Sequence, residues 1–298
     1  MNEVSEVDEL GRRARRLAAA LEPVIGQVYF SPECHRAYEA LGFSPSPGES
    51  GGVAMPDGVA YFTSRGSALG QAPGELVASA FAVFNPAVVV PCVQRGWSLT
   101  DAPTIAGARL GGAVAQLARI LGEQPEGVDQ VRDLLLRACE PLRVEGRPLF
   151  AGVVAQGLPG DPLGDVFRAG DRLRECRGDS HTAAWVAAGF DATEIGLLTE
   201  LYLGIPTRTY IRTRAWSDDQ LDAAEARLTA RGLLHDGAFT DAGRAAREEI
   251  ERVTDAQMRP AVEALGDDAE ELTGRLAEWS GAIRAAGGYP STVAQLAP

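Results

Sequence analysis

The chain has 298 residues, enough for two domains, and 45% hydrophobic with 23% charged residues is typical of a soluble globular protein. Its formal net charge of −13 argues against a general polyanion-binding surface. All 28 basic residues are arginine, and the absence of lysine excludes Schiff-base catalysis, lysine-anchored pyridoxal phosphate and a P-loop.

The cysteines are far apart and form no CxxC pair, which is typical of free thiols in a cytoplasmic protein; they are Cys34, Cys92, Cys139 and Cys176. The N-terminal segment is charged where a signal peptide needs an apolar core. The most apolar run, 76–93, is interrupted at Asn85-Pro86, so it predicts two buried helices meeting at a kink and no membrane span. We therefore predict a cytoplasmic protein without a membrane anchor.

Helical periodicity dominates residues 1–176 and predicts an all-α N-terminal domain. The first helix carries leucines on one side and arginines largely on the other, and a short helix at 31–42 follows with Ser31 as N-cap. Residues 44–58, rich in Gly, Pro and Ser, predict a long loop, which is either a lid or a disordered insertion. A helix followed by a Gly/Pro loop is predicted at 146–165, and the other helices at 59–70, 75–96, 101–122, 127–142 and 163–177.

Residues 177–262 change character. Two short helices precede 207–213, where polar and apolar residues alternate as in a strand. A capped helix at 217–234 leads into a tight hairpin around Asp236-Gly237, followed by a long closing helix. This order is typical of a winged helix-turn-helix, and we expect 263–298 to form C-terminal helices that pack back on the protein.

The segment AEARLTARGLLHDGAFTDAGR resembles the end of a MarR-type winged helix. The resemblance covers roughly the last third of the chain and rests on Leu228, Gly232, Leu233, Leu234, Phe239, Thr240 and Gly243. It implies a mainly α fold, in which an all-α domain precedes a MarR-like winged helix with a short β-hairpin wing. Nearly the whole chain also resembles an uncharacterised group of high-GC bacterial helix-turn-helix proteins, through YFTSRGSALG, FAVFNPAVV, RECRGDSHTAA and RTRAWSDDQLDAAEARLTARGLL. That second resemblance supports the architecture and implies no reaction.

The predicted recognition helix argues against DNA binding without excluding it. The first half of this helix carries the acidic residues Asp218, Asp219, Asp222 and Glu225. Contacts with DNA phosphates need cationic side chains instead. Residues Arg208, Arg212 and Arg214 form either a basic patch or internal ion pairs. Winged helices also serve as packing and dimerisation modules, and a fold alone does not fix a function.

The stretch RECRGDSHTAAWVAAGF, residues 174–190, places Arg177, Asp179 and His181 within five positions. One interpretation is a junction in which Gly178 ends one helix and Asp179 or Ser180 caps the next. The other is an active site, because a neutral histidine beside a carboxylate has the properties of a general base. In that hypothesis His181 is the base and Asp179 orients it.

A second candidate is Arg65, which follows two aromatic residues in YFTSRGSALG. It is either an anion clamp for a substrate or one half of a buried ion pair. We expect a pocket between the two halves of the chain, with Arg65 and His181 as its polar groups. The predicted ligand-binding residues are Tyr61, Phe81, Phe84, Trp97, Arg177 and Trp185.

The leading functional hypothesis is therefore a small-molecule-binding protein that acts as an enzyme, using general acid/base catalysis on a small apolar or anionic metabolite in the pocket between the helical domain and the winged helix. No cofactor and no metal site are predicted, because no GxGxxG or HExxH motif is present and only three histidines occur. The alternatives are a MarR-like ligand-responsive transcriptional regulator and a non-catalytic dimerisation scaffold. A homodimer is expected in each case.

Overall fold

Helices make up most of residues 3–291, the part of the chain that the computed structural model describes. This confirms the predicted mainly α fold. The helices are α1 (Glu3–Gly26), α2 (Pro32–Glu39), α3 (Gly58–Gly66), α4 (Gly74–Phe81), α5 (Pro86–Trp97), α6 (Ala102–Leu121), α7 (Val128–Cys139), α8 (Pro148–Ala155), α9 (Pro162–Ala187), α10 (Ala192–Leu203), α11 (Asp218–Ala230), α12 (Asp241–Leu265) and α13 (Asp268–Ala285). Short 3₁₀ segments lie at Gln27–Phe30, Ser67–Leu69 and Tyr210–Arg214.

Several helix starts follow directly from local sequence. Ser31 caps α2 by accepting a hydrogen bond from the Cys34 N–H, and Asp101 caps α6 in the same way through Thr104. Ser217 and Gln220 form a capping box at the start of α11. The kink expected at Asn85-Pro86 is a full corner between α4 and α5, in which the Asn85 side chain caps α5.

Two small antiparallel hairpins are present in the described residues. Strands β3 (Leu234–His235) and β4 (Ala238–Phe239) pair around Asp236-Gly237 as predicted, and both turn residues have positive φ. The other hairpin, β1 (Glu49–Ser50) with β2 (Val53–Ala54), lies inside the predicted loop 44–58. The N-terminal part is therefore not purely helical, because this loop folds back on itself.

The helix break expected at Gly178 is wrong. Helix α9 continues through Gly178 to Ala187 without interruption. A glycine inside a helix costs only about 1 kcal/mol relative to alanine, and the neighbouring side chains of α9 are held by buried contacts to several other helices. The expected domain boundary between 176 and 177 therefore falls inside a helix. The outer ends of the predicted domains 1–176 and 263–298, residues 1–2 and 292–298, lie outside the described residues.

The strand predicted at 207–213 is also wrong. The carboxylate of Glu200, fully buried on α10, accepts hydrogen bonds from the backbone N–H groups of Arg208, Thr209 and Ile211 at 2.7–3.0 Å. Because three backbone N–H groups bind the same carboxylate, the segment adopts the 3₁₀ conformation and not an extended one. Alternation of polar and apolar residues is not enough to form a strand when no partner strand is available.

The apolar side chains form three clusters. The largest is built around α1, α6, α7, α9, α12 and α13, and a smaller aromatic cluster lies between α3, α4 and α5. The third belongs to what we call the C-terminal unit, α10, α11 and the hairpin β3–β4. Helices α9 and α12 contribute to both the largest cluster and that of the C-terminal unit, through Leu173 and Trp185 on α9 and through Met258 and Ile250 on α12.

Candidate functional site

Helix α9 carries a row of buried ion pairs. The Arg65 guanidinium on α3 donates from Nε and Nη2 to the two carboxylate oxygens of Glu175, at 3.1 and 2.8 Å. One turn earlier, Arg109 on α6 binds Asp171 in the same bidentate way, at 2.7 and 3.1 Å. Burial alone would raise the pKa of Glu175, but the guanidinium groups of Arg65 and Arg174 lower it to about 2. Arg65 is thus one half of a buried ion pair, as one of the two interpretations expected.

The same helix binds α1 and α12 through two further arginines. Arg174 donates to the Glu22 carboxylate on α1 at 2.9 and 3.0 Å. Arg177 donates to Glu251 at 2.9 Å and to Asp255 at 3.0 Å, both on α12. Arg177 therefore connects α9 to the helix that closes the C-terminal unit.

Asp179 contacts α8 and not His181. Its carboxylate accepts a hydrogen bond from the Phe150 N–H at 3.0 Å, in the first turn of α8, where Arg147 at the N-cap provides no side-chain cap. Burial raises the pKa of Asp179 to about 6, against the opposing effect of that N–H. The N-cap role foreseen for Asp179 exists, but it serves a different helix from the one expected.

His181 faces α12, where its Nδ1 lies 3.1 Å from Thr254 Oγ1. The Thr254 hydroxyl donates its only hydrogen to the Ile250 carbonyl at 2.7 Å, so its oxygen accepts from His181 Nδ1–H. This assigns the neutral tautomer that leaves Nε2 as an acceptor. Burial lowers the pKa of His181 to about 4, against the opposing effect of Glu251.

Among the described residues, no hydrogen bond joins His181, Asp179 and Arg65 to one another. Asp179 and His181 bind different helices because side chains two positions apart on α9 project to different sides, and Arg65 on α3 is bound by Glu175. General acid/base catalysis by these three residues stays a prediction.

A separate cleft of about 550 Å³ lies between the N-terminal helices and the C-terminal unit. We call it the aromatic cleft. Its walls come from segments far apart in sequence, and they include Tyr29, Tyr61, Phe84, Tyr210, Arg214 and Tyr289. The loop that holds β1 and β2 contributes Pro47, Met55 and Pro56 to the rim. This volume is within the usual range for small-molecule sites.

Aromatic rings in contact form one wall of the cleft. The ring centroids of Tyr29 and Tyr61 are 5.1 Å apart, and those of Tyr61 and Phe84 are 5.6 Å apart. The predicted residues Tyr61 and Phe84 line the cleft directly. Phe81 packs behind them against Tyr61, with Trp97 in the same apolar cluster. These contacts fix the rings in place before any ligand binds.

The remaining predicted ligand-binding residues lie elsewhere. Arg177, together with Arg65, lines a smaller cavity of about 190 Å³ beside α1, α9 and α12. Trp185 is 5% exposed and packs in the apolar cluster of the C-terminal unit. The structure therefore assembles two of the predicted residues in the aromatic cleft and distributes the others.

Sequence reasoning did not assign Arg214 to this site. Its guanidinium carbon lies 4.5 Å from the ring centroid of Phe84 and 4.4 Å from that of Tyr210, and it donates to the Tyr210 hydroxyl. None of the ion pairs in the described residues involves Arg214, whereas the other cleft arginine, Arg174, binds two carboxylates. The segment YIRTRAW, residues 210–216, gave one local signal, an arginine between two aromatic residues, but residues 207–213 were predicted to form a strand.

The residues after Arg214 attach the C-terminal unit to the α4–α5 corner. The Asn85 N–H donates to the Arg214 carbonyl, and its side-chain amide donates to the Ala215 carbonyl, both at 2.9 Å. Trp216 donates through Nε1 to the Val83 carbonyl at 2.9 Å. Ala215 has φ of 63°, a left-handed conformation that is costly for a residue with a Cβ.

The acidic residues of α11 are bound by two neighbouring arginines. Arg208 donates to Asp222 at 2.5 Å and to Glu225 at 2.6 Å, and Arg212 donates to Asp218 at 2.6 Å. The internal ion pairs considered as one reading of these arginines are therefore present. Two arginines therefore offset part of the charge of the four acidic residues Asp218, Asp219, Asp222 and Glu225, and this side of α11 stays acidic.

Within residues 3–291, no helix combines the length and the apolar character that a membrane span needs. The same residues contain no group of three His, Cys, Asp or Glu side chains placed to hold a metal ion.

Comparison with known proteins gives one match. No curated protein and no solved structure matches the chain. Residues 14–290 match a family described as a helix-turn-helix family. Because this match spans most of the chain, the protein belongs to that helix-turn-helix family.

Proposed function

We propose that the protein is a ligand-responsive DNA-binding regulator. The C-terminal unit then forms a winged helix-turn-helix of the MarR type, with α11 as recognition helix and β3–β4 as wing, and the protein acts as a homodimer. The aromatic cleft is the sensor. One observation carries this proposal: the 3₁₀ segment Tyr210–Arg214 both lines the cleft and leads, through Ala215 and Trp216, into α11.

That shared segment supports a coupling between ligand and DNA. A ligand shifts a conformational equilibrium only by binding one state better than another. Arg214 itself accepts a hydrogen bond from Asn85 through its carbonyl, and it lies two residues before Trp216, whose indole binds Val83 near the start of α11. Tyr210 lies four residues before Arg214 in the same 3₁₀ segment. Movement of this segment therefore changes the placement of α11 relative to the rest of the protein.

The charge distribution sets the expected strength of DNA binding. Arg208 and Arg212 are occupied by α11 carboxylates, so few cations near the recognition helix are available for phosphates. Since phosphate contacts supply most non-specific affinity, we expect weak non-specific binding. Sequence preference must then come from the exposed face of α11.

The test is selection from a random-sequence duplex library by the full-length protein at low salt, followed by affinity measurements on enriched sequences. The proposal expects enrichment of inverted repeats with half-sites about 10 base pairs apart, one turn of DNA. Ala223 and Ala226 are exposed on α11, so the double variant Ala223→Glu/Ala226→Glu should abolish binding with the fold intact. Ala115→Glu/Ala277→Glu, at exposed positions on α6 and α13, adds the same two charges away from α11; it is the matched control and should bind as the unmodified protein does.

Two results would overturn the DNA-binding part of the proposal. One is a library that shows no enrichment over a protein-free control. The other is an enriched sequence whose affinity is unchanged by glutamates at positions 223 and 226.

A further inference from the structure

We infer that the aromatic cleft binds a planar aromatic molecule carrying one carboxylate, with Arg214 as the group that binds the carboxylate. This inference rests on the proposed sensor role of the cleft and names the chemical class of its ligand. Arg214 has no carboxylate partner among the described residues, whereas Arg174, the other arginine in the same cleft, binds two carboxylates.

Arg214 is held in place but is not neutralised. The rings of Phe84 and Tyr210 lie 4.5 and 4.4 Å from its guanidinium carbon, which restricts the plane of the group. No carboxylate of the described residues forms an ion pair with it, although the chain has 41 acidic residues. A fixed guanidinium with donors free at its edge matches the two oxygens of a carboxylate.

Arg174 shows why one negative charge is expected and not two. Its guanidinium also lines the cleft, but Glu22 and Glu175 bind it at 2.9–3.1 Å. Glu22 lines the cleft as well. The cleft therefore offers one unneutralised cation beside a carboxylate, a balance that suits a monoanion and disfavours a dianionic phosphate.

The rest of the cleft favours a flat, apolar body. Tyr29, Tyr61 and Phe84 present connected rings, and aromatic rings bind other rings by offset or edge contacts. The Tyr61 hydroxyl makes no hydrogen bond within the described residues, so it remains available to a polar substituent on the ligand. A volume of about 550 Å³ accommodates two or three fused rings.

The test is isothermal titration calorimetry of the full-length protein, without DNA, against 2-naphthoate, 2-naphthamide and 2-naphthyl phosphate. We expect saturable binding of 2-naphthoate, with the amide weaker by about 10-fold or more because the charge-assisted hydrogen bonds are lost. The phosphate should not bind more tightly than the carboxylate. Arg214→Gln should weaken 2-naphthoate to the level of the amide, and Arg214→Lys should give an intermediate affinity.

Arg95→Gln is the matched control, because Arg95 is exposed, forms no ion pair within the described residues and does not line the cleft. Equal affinity for naphthoate and naphthamide, or no binding of naphthoate at millimolar concentrations, would overturn the inference even if Arg214→Gln fails to fold. If naphthoate does not bind as expected, the ligand class is wrong, but the ligand-free protein can still select DNA and the DNA-binding proposal still stands. Binding of naphthoate by a protein that selects no DNA would keep this inference and reject the regulator.

Discussion

The carboxylate of Asp179 accepts the Phe150 N–H at 3.0 Å and so caps α8 from the middle of α9. Two residues further along, His181 points to α12 instead and donates to Thr254. The two side chains are neighbours in sequence with separate structural partners. Burial moves their pKa values in opposite directions across the same pH range.

We expect these two residues to make opposing contributions to the pH dependence of stability. The folded-state pKa of Asp179 is raised from 3.8 to about 6, so its contribution is full below pH 3.8 and is lost as the pH rises through 6. The folded-state pKa of His181 is lowered from 6.5 to about 4, so between these values the unfolded state binds more protons and stability rises with pH. Each slope is at most about 1.4 kcal/mol per pH unit.

Urea denaturation of Asp179→Asn and His181→Gln at pH 4 to 7 measures how much each residue contributes to the pH dependence of the free energy of unfolding. Relative to the unmodified protein, the free energy of unfolding of Asp179→Asn should rise over pH 4–6, and that of His181→Gln should fall over pH 4–6.5. Two curves parallel to that of the unmodified protein would contradict the assignment.

The Arg65–Glu175 pair should be costly to break. Glu175→Ala leaves the Arg65 guanidinium buried without its bidentate partner and removes one of the two carboxylates that bind Arg174, and loss of one member of a buried pair costs about 3–5 kcal/mol. Glu263→Ala removes one member of an exposed i, i+4 pair with Arg259 on α12 and should cost less than about 1 kcal/mol. Chemical denaturation of both variants gives the comparison, and similar losses would mean that the Arg65 pair is not a major stabilising contact.

Releasing Arg208 should strengthen DNA binding if the C-terminal unit binds DNA. The variant Asp222→Asn/Glu225→Gln removes both carboxylates that bind this guanidinium. The slope of log affinity against log salt should steepen by about 0.9 for each phosphate that Arg208 then contacts. Fluorescence anisotropy with a non-specific duplex measures this slope.

A charge-matched control separates this effect from net charge. Glu123→Gln/Glu126→Gln changes the net charge equally at exposed positions between α6 and α7. An equal gain in both double variants would show that only overall charge matters.

Ala215 should be more stable as glycine. Its φ of 63° is unfavourable for alanine and readily adopted by glycine, so Ala215→Gly should raise the free energy of unfolding by about 1 kcal/mol. Ala226→Gly, at an exposed position inside α11, should lower it by about 1 kcal/mol. Thermal unfolding of the two variants tests the opposite signs, and a loss of stability in both would show that position 215 is not strained.

The elements that local sequence predicted are those whose ends depend on local chemistry. Ser31 and Ser217 cap helices where their sequence neighbourhoods indicated, and Asp236-Gly237 forms its turn. The two errors of secondary structure have tertiary causes. Glu200 binds the backbone of the segment expected to be a strand, and ion pairs to other helices keep α9 continuous at Gly178.

The candidate site was predicted only in part, for the same reason. Tyr61 and Phe84 were expected as ligand-binding residues, and both line the cleft. Arg214 and Tyr289 reach it from segments more than a hundred residues away, and no local pattern shows that these segments converge. The pocket expected around His181 required that residue to face the aromatic cluster, but its contact with Thr254 turns it towards α12.

Helix α9 runs without a break from one part of the protein into the other. Its 26 residues span about 39 Å and belong to both the largest apolar cluster and that of the C-terminal unit. The two parts are therefore joined by a rigid rod, with α12 running as a second rod beside it. If the cleft is the sensor that we propose, a signal from it would reach α11 as a small rotation or sliding of packed helices and not as the swing of a tethered domain. A cut between residues 176 and 177 would break α9 in its middle.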